Sequence, residues 1–278
     1  MEFLRALVRH SFLQYALLTG VLASVSSGIV GSYITARRIS YVAAAIAHVT
    51  LAGMGFARYM QRVAGWSFMT PLVGAVVAAL LSAVIAAAVT IRGREREDTV
   101  LSVIWSLGMA VGVLFISRTP GYGEHLMSYL FGNILLVGAR ELALLAALDV
   151  IVVGVALTFY TRFEAICFDE EYARLRGIRV QLYYTLLLCL TALTVVMLLT
   201  VVGIVMVIAM LTLPAAAASL LCRRLWHTML VAGALSLVFV VIGLAVSYAP
   251  NLPAGATIIV VSGAGYALVH LLRRRRTA

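Results

Sequence analysis

Consecutive apolar runs of about 20 residues follow one another along the chain, and they restrict its fold more than any other feature. A helix of that length crosses a hydrocarbon core about 30 Å thick. The runs are apolar on every face and rich in Leu, Val and Ala, whereas a membrane strand would alternate apolar and polar residues over about ten positions. The sequence therefore predicts an all-α, polytopic transmembrane helical bundle.

Nine spans are predicted within a single transmembrane domain that covers residues 1–278. The predicted spans are residues 12–34, 39–57, 68–91, 99–117, 139–161, 181–200, 203–221, 226–248 and 255–272. The stretch 181–221 is almost continuously apolar and has basic residues at both ends, so it is expected to cross the membrane an even number of times. Gly203 is the expected break between two spans, although a re-entrant hairpin would also return the chain to the same side. Pro214 removes a helical hydrogen bond and is expected to kink its span, which makes it a candidate gating position.

The arginines give the predicted orientation. All 21 basic residues are arginines, and the net charge is +10. Only six of them fall on the side opposite to the rest: Arg5, Arg9, Arg58, Arg62, Arg118 and Arg140. The richer side is cytoplasmic by the positive-inside rule. An N-terminal helix lying in the interface would accommodate Arg5 and Arg9. The positive charge thus indicates membrane orientation and not nucleic-acid binding.

The longest polar cytoplasmic segment, residues 163–180, contains helix start and stop signals. Acidic residues come first, then basic residues and a glycine: Asp169, Glu170, Glu171, Arg174, Arg176 and Gly177. Acid at the beginning of a helix, base at its end and glycine just after it are typical of a capped helix. The pattern favours a short amphipathic docking helix over an ordinary solvated loop.

His48 lies inside the second predicted span, where Ala44 and Ala52 share its helical face. Small residues on that face let another backbone approach closely, or leave room for a path. An ionisable residue inside a span is a candidate functional residue. The alternative, that His48 only hydrogen-bonds a neighbouring helix, has equal weight.

Asp149 is the only acidic residue deep inside a predicted span. Burying its carboxylate without a partner costs roughly 3 kcal/mol on insertion scales. Pairing with an arginine, protonation, or joining His48 as a metal ligand would each remove that cost. In the first span, Ser24, Gly28 and Ser32 form a small-residue stripe that predicts tight helix contact.

Motifs for catalysis or nucleotide binding are absent from the sequence. It contains neither HExxH nor GxxxxGK[ST], so the chain is predicted not to be an enzyme, and any ATP is hydrolysed by another chain. A proton- or ion-coupled secondary transporter is the alternative. It would have several intramembrane acids and an inverted repeat, whereas this chain has one deep carboxylate and no convincing repeat.

Five segments together resemble the ABC-3 family, the permeases of zinc, manganese and iron ABC importers that include the bacterial high-affinity zinc-uptake permease. They are RRISYVAAAIAH at Arg37–His48, LFGN at Leu130–Asn133, FDEEYARLRGI at Phe168–Ile178, GIVMVIAMLTLPAAAASLL at Gly203–Leu221 and NLPAGA at Asn251–Ala256. The matches are collinear and extend from about residue 12 to residue 270.

The resemblance implies a multi-pass protein of the bacterial cytoplasmic membrane. Its partners would be a second permease copy, two cytoplasmic ABC ATPase subunits and an extracytoplasmic metal-binding protein. This chain would hold no cofactor of its own, and its substrate would be a divalent metal ion. The resemblance also implies a coupling helix that docks on the ATPase, made by Asp169, Glu170, Glu171, Tyr172, Ala173, Arg174, Leu175 and Gly177.

The chain departs from the family pattern where a carboxylate usually precedes the histidine by one turn, because Ala44 stands there. Asn133 and Asn251 also replace acidic residues near two motifs. The remaining ligand set is one imidazole per protomer, from His48, helped by Asp149. Imidazole suits zinc, whereas manganese prefers oxygen. Zinc is therefore expected first, followed by manganese and iron.

Overall fold

The computed structural model describes residues 10–92, 97–119, 132, 134–248, 250 and 252–277. Their secondary structure is helical, and no strand occurs among them. A 3₁₀ turn lies at Ile134–Leu136. The α-helices are α1 Ser11–Arg37, α2 Ser40–Val63, α3 Pro71–Arg92, α4 Glu97–Arg118, α5 Ala139–Thr158, α6 Tyr160–Phe168, α7 Glu170–Leu175, α8 Val180–Val202, α9 Ile204–Leu221, α10 Leu225–Tyr248 and α11 Ala254–Thr277.

Nine of these helices are long and apolar enough to cross a membrane, namely all except α6 and α7. The all-α fold and the nine predicted spans are therefore confirmed. The second span is longer than predicted and ends at Val63, because the helix continues past its apolar part through Arg58 and Arg62. The third begins at Pro71 and not at residue 68, since proline suits the first position of a helix.

The described helices form two compact units. In the first unit, α1 packs against α5, α9 and α10, and α11 packs against α9 and α10. The small-residue stripe of α1 makes the close contact predicted for it. A Cβ atom added at Gly28 would lie 2.7 Å from the Cα of Gly233 in α10. The hydroxyls of Ser24 and Ser32 donate to the carbonyls of Gly20 and Gly28, each at 2.6 Å, so these buried polar groups are satisfied within the helix.

In the second unit, α2 lies against both α3 and α4. Glycines let the backbones come close: a Cβ atom at Gly112 of α4 would be 2.8 Å from the amide nitrogen of Ala52. The unit also contains α6, α7 and most of α8. Arg162 of α6 donates a hydrogen bond to the Tyr183 hydroxyl of α8, and its guanidinium lies 5.0 Å from the Tyr183 ring centre. These contacts fix the chain on both sides of α7.

The break predicted at Gly203 is present. Gly203 has φ +81°, a left-handed value that glycine adopts without a steric penalty, and it separates α8 from α9. Helix α9 runs as one helix through the buried Pro214. The kink and the gating role assigned to Pro214 stay predictions. Arg5, Arg9, Asn133 and Asn251 lie outside the described residues.

Candidate functional site: a histidine within α2 and a cytoplasmic helix

The imidazole of His48 is half-buried in α2 and held by its own helix. Its Nδ1 atom lies 2.7 Å from the carbonyl oxygen of Ala44. Because a carbonyl can only accept, Nδ1 carries the proton and donates. In a neutral imidazole the other nitrogen, Nε2, then keeps its lone pair. The ring is thereby oriented with Nε2 as the atom able to bind a cation.

An aromatic side chain of α4 covers one side of the imidazole. The ring centre of Trp105 lies 4.4 Å from that of His48, with 32° between the ring planes. Trp105 also lies 5.5 Å from Tyr41, whose hydroxyl is 2.9 Å from the Oγ of Ser102. Packing between α2 and α4 therefore limits the rotamers of His48.

Trp105 and Tyr41 were not predicted from the sequence as neighbours of His48. Tyr41 precedes His48 by seven residues, two helical turns, so the two share a face of α2. That spacing was a readable signal for Tyr41. Trp105 lies in another helix, and no pattern in a single sequence places it beside His48.

The two alanines predicted to share the His48 face have different environments. Ala44 is only 8% exposed, and its carbonyl oxygen accepts the hydrogen bond from His48. Ala52 is half-buried at the point where α4 comes close at Gly112. Small residues on this face were expected either to let another helix approach closely or to leave room for a path. Close approach of another helix is observed at Ala52.

Asp149 lies in α5, in the first unit, whereas His48 belongs to the second. Its side chain is only 7% exposed and lies beside Ser26 of α1. Neither carboxyl oxygen has a partner at hydrogen-bonding geometry within the described part of the chain. The Ser26 hydroxyl instead reaches the Leu22 carbonyl at 3.5 Å. Among the described residues the predicted pairing with an arginine is therefore not found, and protonation or ligation stay open.

Metal-ligating side chains do not form a complete cluster in the described residues. No group of three or more His, Cys, Asp or Glu side chains occurs there. A tightly held zinc ion in a structural site usually has four such ligands. The described part of one chain does not complete such a set, and the role of His48 as a metal ligand stays a prediction.

The short helix predicted in the cytoplasmic segment is α7. Asp169 caps it, its Oδ1 accepting from the Tyr172 amide at 2.9 Å. Glu170 and Arg174 pair at 2.5 Å one turn apart. After the helix, Gly177 has φ +74°, and its amide donates to the Arg174 carbonyl at 3.0 Å. The acidic start, basic end and glycine stop thus act as the pattern predicted.

Helix α7 is anchored by Ala173, and its other residues are exposed except for the half-buried Glu170. Ala173 is completely buried, whereas Leu175 is 87% exposed and Tyr172 46% exposed. The Arg176 guanidinium lies 4.9 Å from the Tyr172 ring centre and supports that ring. Glu171 is also exposed. Leu175 and Tyr172 thus add exposed apolar surface to an otherwise charged helix.

Comparison with known proteins identifies the family. The profile of the ABC 3 transport family matches residues 9–273. The "Probable metal transport system membrane protein" of Chlamydia pneumoniae is 38% identical over 276 residues, which are 98% of this chain and 94% of the relative. The manganese transport system membrane protein MntC of Listeria monocytogenes is 35% identical over 263 residues, covering 94% of this chain and 91% of MntC.

Solved structures agree with these sequence relationships. PsaBC from Streptococcus pneumoniae, in complex with Fab, superposes with a TM-score of 0.84 at 28% identity. The match covers 96% of this chain and 94% of that one. Together with the nine apolar helices, these relationships make the chain a multi-pass bacterial membrane protein. The chain belongs to the ABC 3 transport family of membrane permeases.

Proposed function

We propose that the chain is the membrane permease subunit of an ATP-driven importer that carries a divalent transition-metal ion. The observation that carries this proposal is His48, an imidazole inside a membrane span whose Nε2 is left free by the bond from Nδ1 to Ala44. The names of the Chlamydia and Listeria relatives, both metal transport proteins, support it. Family membership favours this function over a secondary transporter that works without an ATPase.

The transported metal is manganese or zinc, each favoured by a different observation. Manganese is the substrate in the name of the Listeria relative. Zinc suits a site whose only described ligand is an imidazole. Because His48 is the one histidine per chain that is proposed as a ligand, a second copy would supply a second imidazole, so the proposed assembly is a homodimer. Weak coordination is compatible with transport, because an ion held tightly in the path could not leave.

The ATPase partner is proposed to bind at α7. Its caps and internal ion pair make α7 a stiff element, and Leu175 and Tyr172 provide exposed apolar surface. ATP binding and hydrolysis on two ATPase subunits would move this helix and alternate the access of the metal path. The ion would be delivered by an extracytoplasmic metal-binding protein. This chain would contribute no cofactor and no catalytic residue.

A histidine substitution tests the proposal. In cells that lack their own copy of this permease, uptake of labelled manganese and zinc is compared for the unchanged chain, His48→Ala and His270→Ala. His270 is an exposed histidine of α11 and provides the matched control. We expect His48→Ala to lose uptake of the transported metal and His270→Ala to retain it, at equal amounts in the membrane. Equal uptake by both variants would contradict the assignment of His48.

A further inference from the structure

An open cleft of about 1010 Å³ lies beside α7 and the first turns of α8. Arg174 and Arg179 line one end of it. Leu182, Leu186 and Cys189 of α8 line the other part, and its lining is predominantly apolar. The cleft therefore combines a cationic end with an apolar wall along a membrane-spanning helix.

The charge at the polar end is incompletely balanced. Arg174 is paired with Glu170 at 2.5 Å, whereas Arg179 makes no ion pair with any residue that the structure describes. Both arginines are exposed. Helix α8 also has no acidic residue in its first turn, so the partial positive charge of its N-terminus adds to that of Arg179. An anion at this end would meet an attractive potential.

The length of the apolar wall matches part of a lipid chain. Cys189 follows Arg179 by ten residues, which is about 15 Å along an α-helix at 1.5 Å per residue. One leaflet of a hydrocarbon core about 30 Å thick has the same depth. Because the arginine-rich side of the chain is cytoplasmic by the positive-inside rule, the charged end lies at the cytoplasmic headgroup level.

We propose that this cleft binds an anionic phospholipid of the cytoplasmic leaflet. Its phosphate contacts Arg179 and Arg174, and one acyl chain lies along Leu182, Leu186 and Cys189. Basic pockets on the cytoplasmic side of membrane helices select anionic headgroups, whereas a zwitterionic lipid gains less from them. The site contains neither His48 nor Asp149 but shares Arg174 with the helix proposed to bind the ATPase, so it is tested on the chain alone, without metal, ATPase or ATP.

Thermal unfolding of the purified full-length chain in detergent tests the lipid site. The midpoint is measured with added phosphatidylglycerol and with phosphatidylcholine of the same acyl chains, for the unchanged chain, Arg179→Gln, Arg179→Lys and Arg223→Gln. Arg223 is an exposed arginine on the same side of the membrane but outside the cleft, so it controls for loss of charge alone. Size-exclusion profiles confirm that each variant is folded before lipid is added.

We expect phosphatidylglycerol to raise the midpoint more than phosphatidylcholine does. Arg179→Gln should reduce that rise to the phosphatidylcholine value, whereas Arg179→Lys and Arg223→Gln should keep it. An undiminished rise in Arg179→Gln, or equal effects of the two lipids, would overturn the proposal. The soluble headgroup glycerophosphoglycerol is a further arm. If it alone reproduces the rise, the cleft is a phosphate site and the lipid assignment is wrong.

Discussion

The bond between the Nδ1 of His48 and the Ala44 carbonyl determines which imidazole nitrogen a metal ion can reach. A second hydrogen bond of this kind commonly orients metal-binding histidines. Here the acceptor belongs to Ala44, where the family resemblance implies a carboxylate. This one position thus orients the proposed ligand through its backbone and withholds an oxygen ligand through its side chain.

Restoring the carboxylate is predicted to change the metal preference. In Ala44→Asp the new side chain lies one turn before His48, on the same helical face, and offers oxygen to the ion. Because oxygen ligands favour manganese, we expect the ratio of manganese to zinc uptake to rise on the order of tenfold, which corresponds to about 1.4 kcal/mol. Competition between the two labelled metals measures the ratio. Ala44→Leu, similar in size to aspartate but without an oxygen atom, is the control, and an equal ratio in both variants would argue against a shared ligand face.

Asp149 provides a second test. Its oxygens are buried beside Ser26 and have no partner at hydrogen-bonding geometry among the described residues, so an ionised form would be costly. Asp149→Asn keeps the shape and removes the charge. We expect its free energy of unfolding to change by less than about 1.5 kcal/mol, the range of a single net hydrogen bond. A much larger loss, measured by thermal unfolding, would show that an ionised Asp149 has a partner. Loss of metal uptake in the folded variant would identify it as a ligand.

Among the elements, α7 depends on the conformation of the glycine that ends it. Gly177 has φ +74°, and a Cβ added there would meet no atom within 4 Å, so a side chain causes backbone strain and no clash. Gly177→Val should cost roughly 1–2 kcal/mol of local stability. If α7 couples to an ATPase, metal moved per ATP hydrolysed should fall about fivefold, the factor that about 1 kcal/mol represents.

Gly65 provides a matched control for that experiment. It has φ +71°, and a Cβ atom added there would also meet no atom within 4 Å. Gly65 follows the C-terminal end of α2 and lies outside the coupling segment. Gly65→Val therefore introduces similar strain away from α7. We expect its transport per ATP to remain normal. Equal losses in the two variants would show that general destabilisation, and not coupling, explains the effect.

The contact between α2 and α4 is predicted to depend on Gly112. A valine there would place its Cβ 2.8 Å from the Ala52 amide nitrogen and the Leu51 carbonyl carbon, which are backbone atoms with little freedom to move. We expect a loss of about 1–3 kcal/mol in the free energy of unfolding. Gly154→Val, in α5 with no atom within 4 Å, carries the same change in helix propensity and should stay near the unchanged chain. Similar unfolding midpoints for both variants would contradict the close packing.

The elements of this protein were predictable from sequence because lipid imposes one constraint on all of them. Long apolar runs must form helices to satisfy their backbone groups, so nine spans could be located. Turn chemistry revealed α7 and the break at Gly203. The end of α2 and the beginning of α3 were predicted less well. Helix α2 continues past its apolar part to Val63, and α3 begins only at Pro71, so neither boundary coincides with the limit of an apolar run. Trp105 beside His48 was unpredictable, because it results from packing between helices.

At the scale of the whole molecule, the proposed function couples a membrane bundle to an energy source outside it. In that proposal the chain supplies a path and a ligand, and a partner hydrolyses ATP, since the sequence contains no GxxxxGK[ST] loop. The arginine distribution predicts that α7 lies on the cytoplasmic side, where such a partner would be. The proposed importer thus depends on both orientation and family membership.

Reconstitution into lipid vesicles tests whether metal transport requires ATP and both partner proteins. The chain is incorporated with the ATPase encoded beside it and supplied with its metal-binding protein, and entry of labelled manganese and zinc is measured with and without ATP. We predict entry of one of these metals only when ATP and both partners are present, and no entry with His48→Ala. Transport by the isolated chain under a proton gradient, without ATP, would contradict the account and identify a secondary transporter.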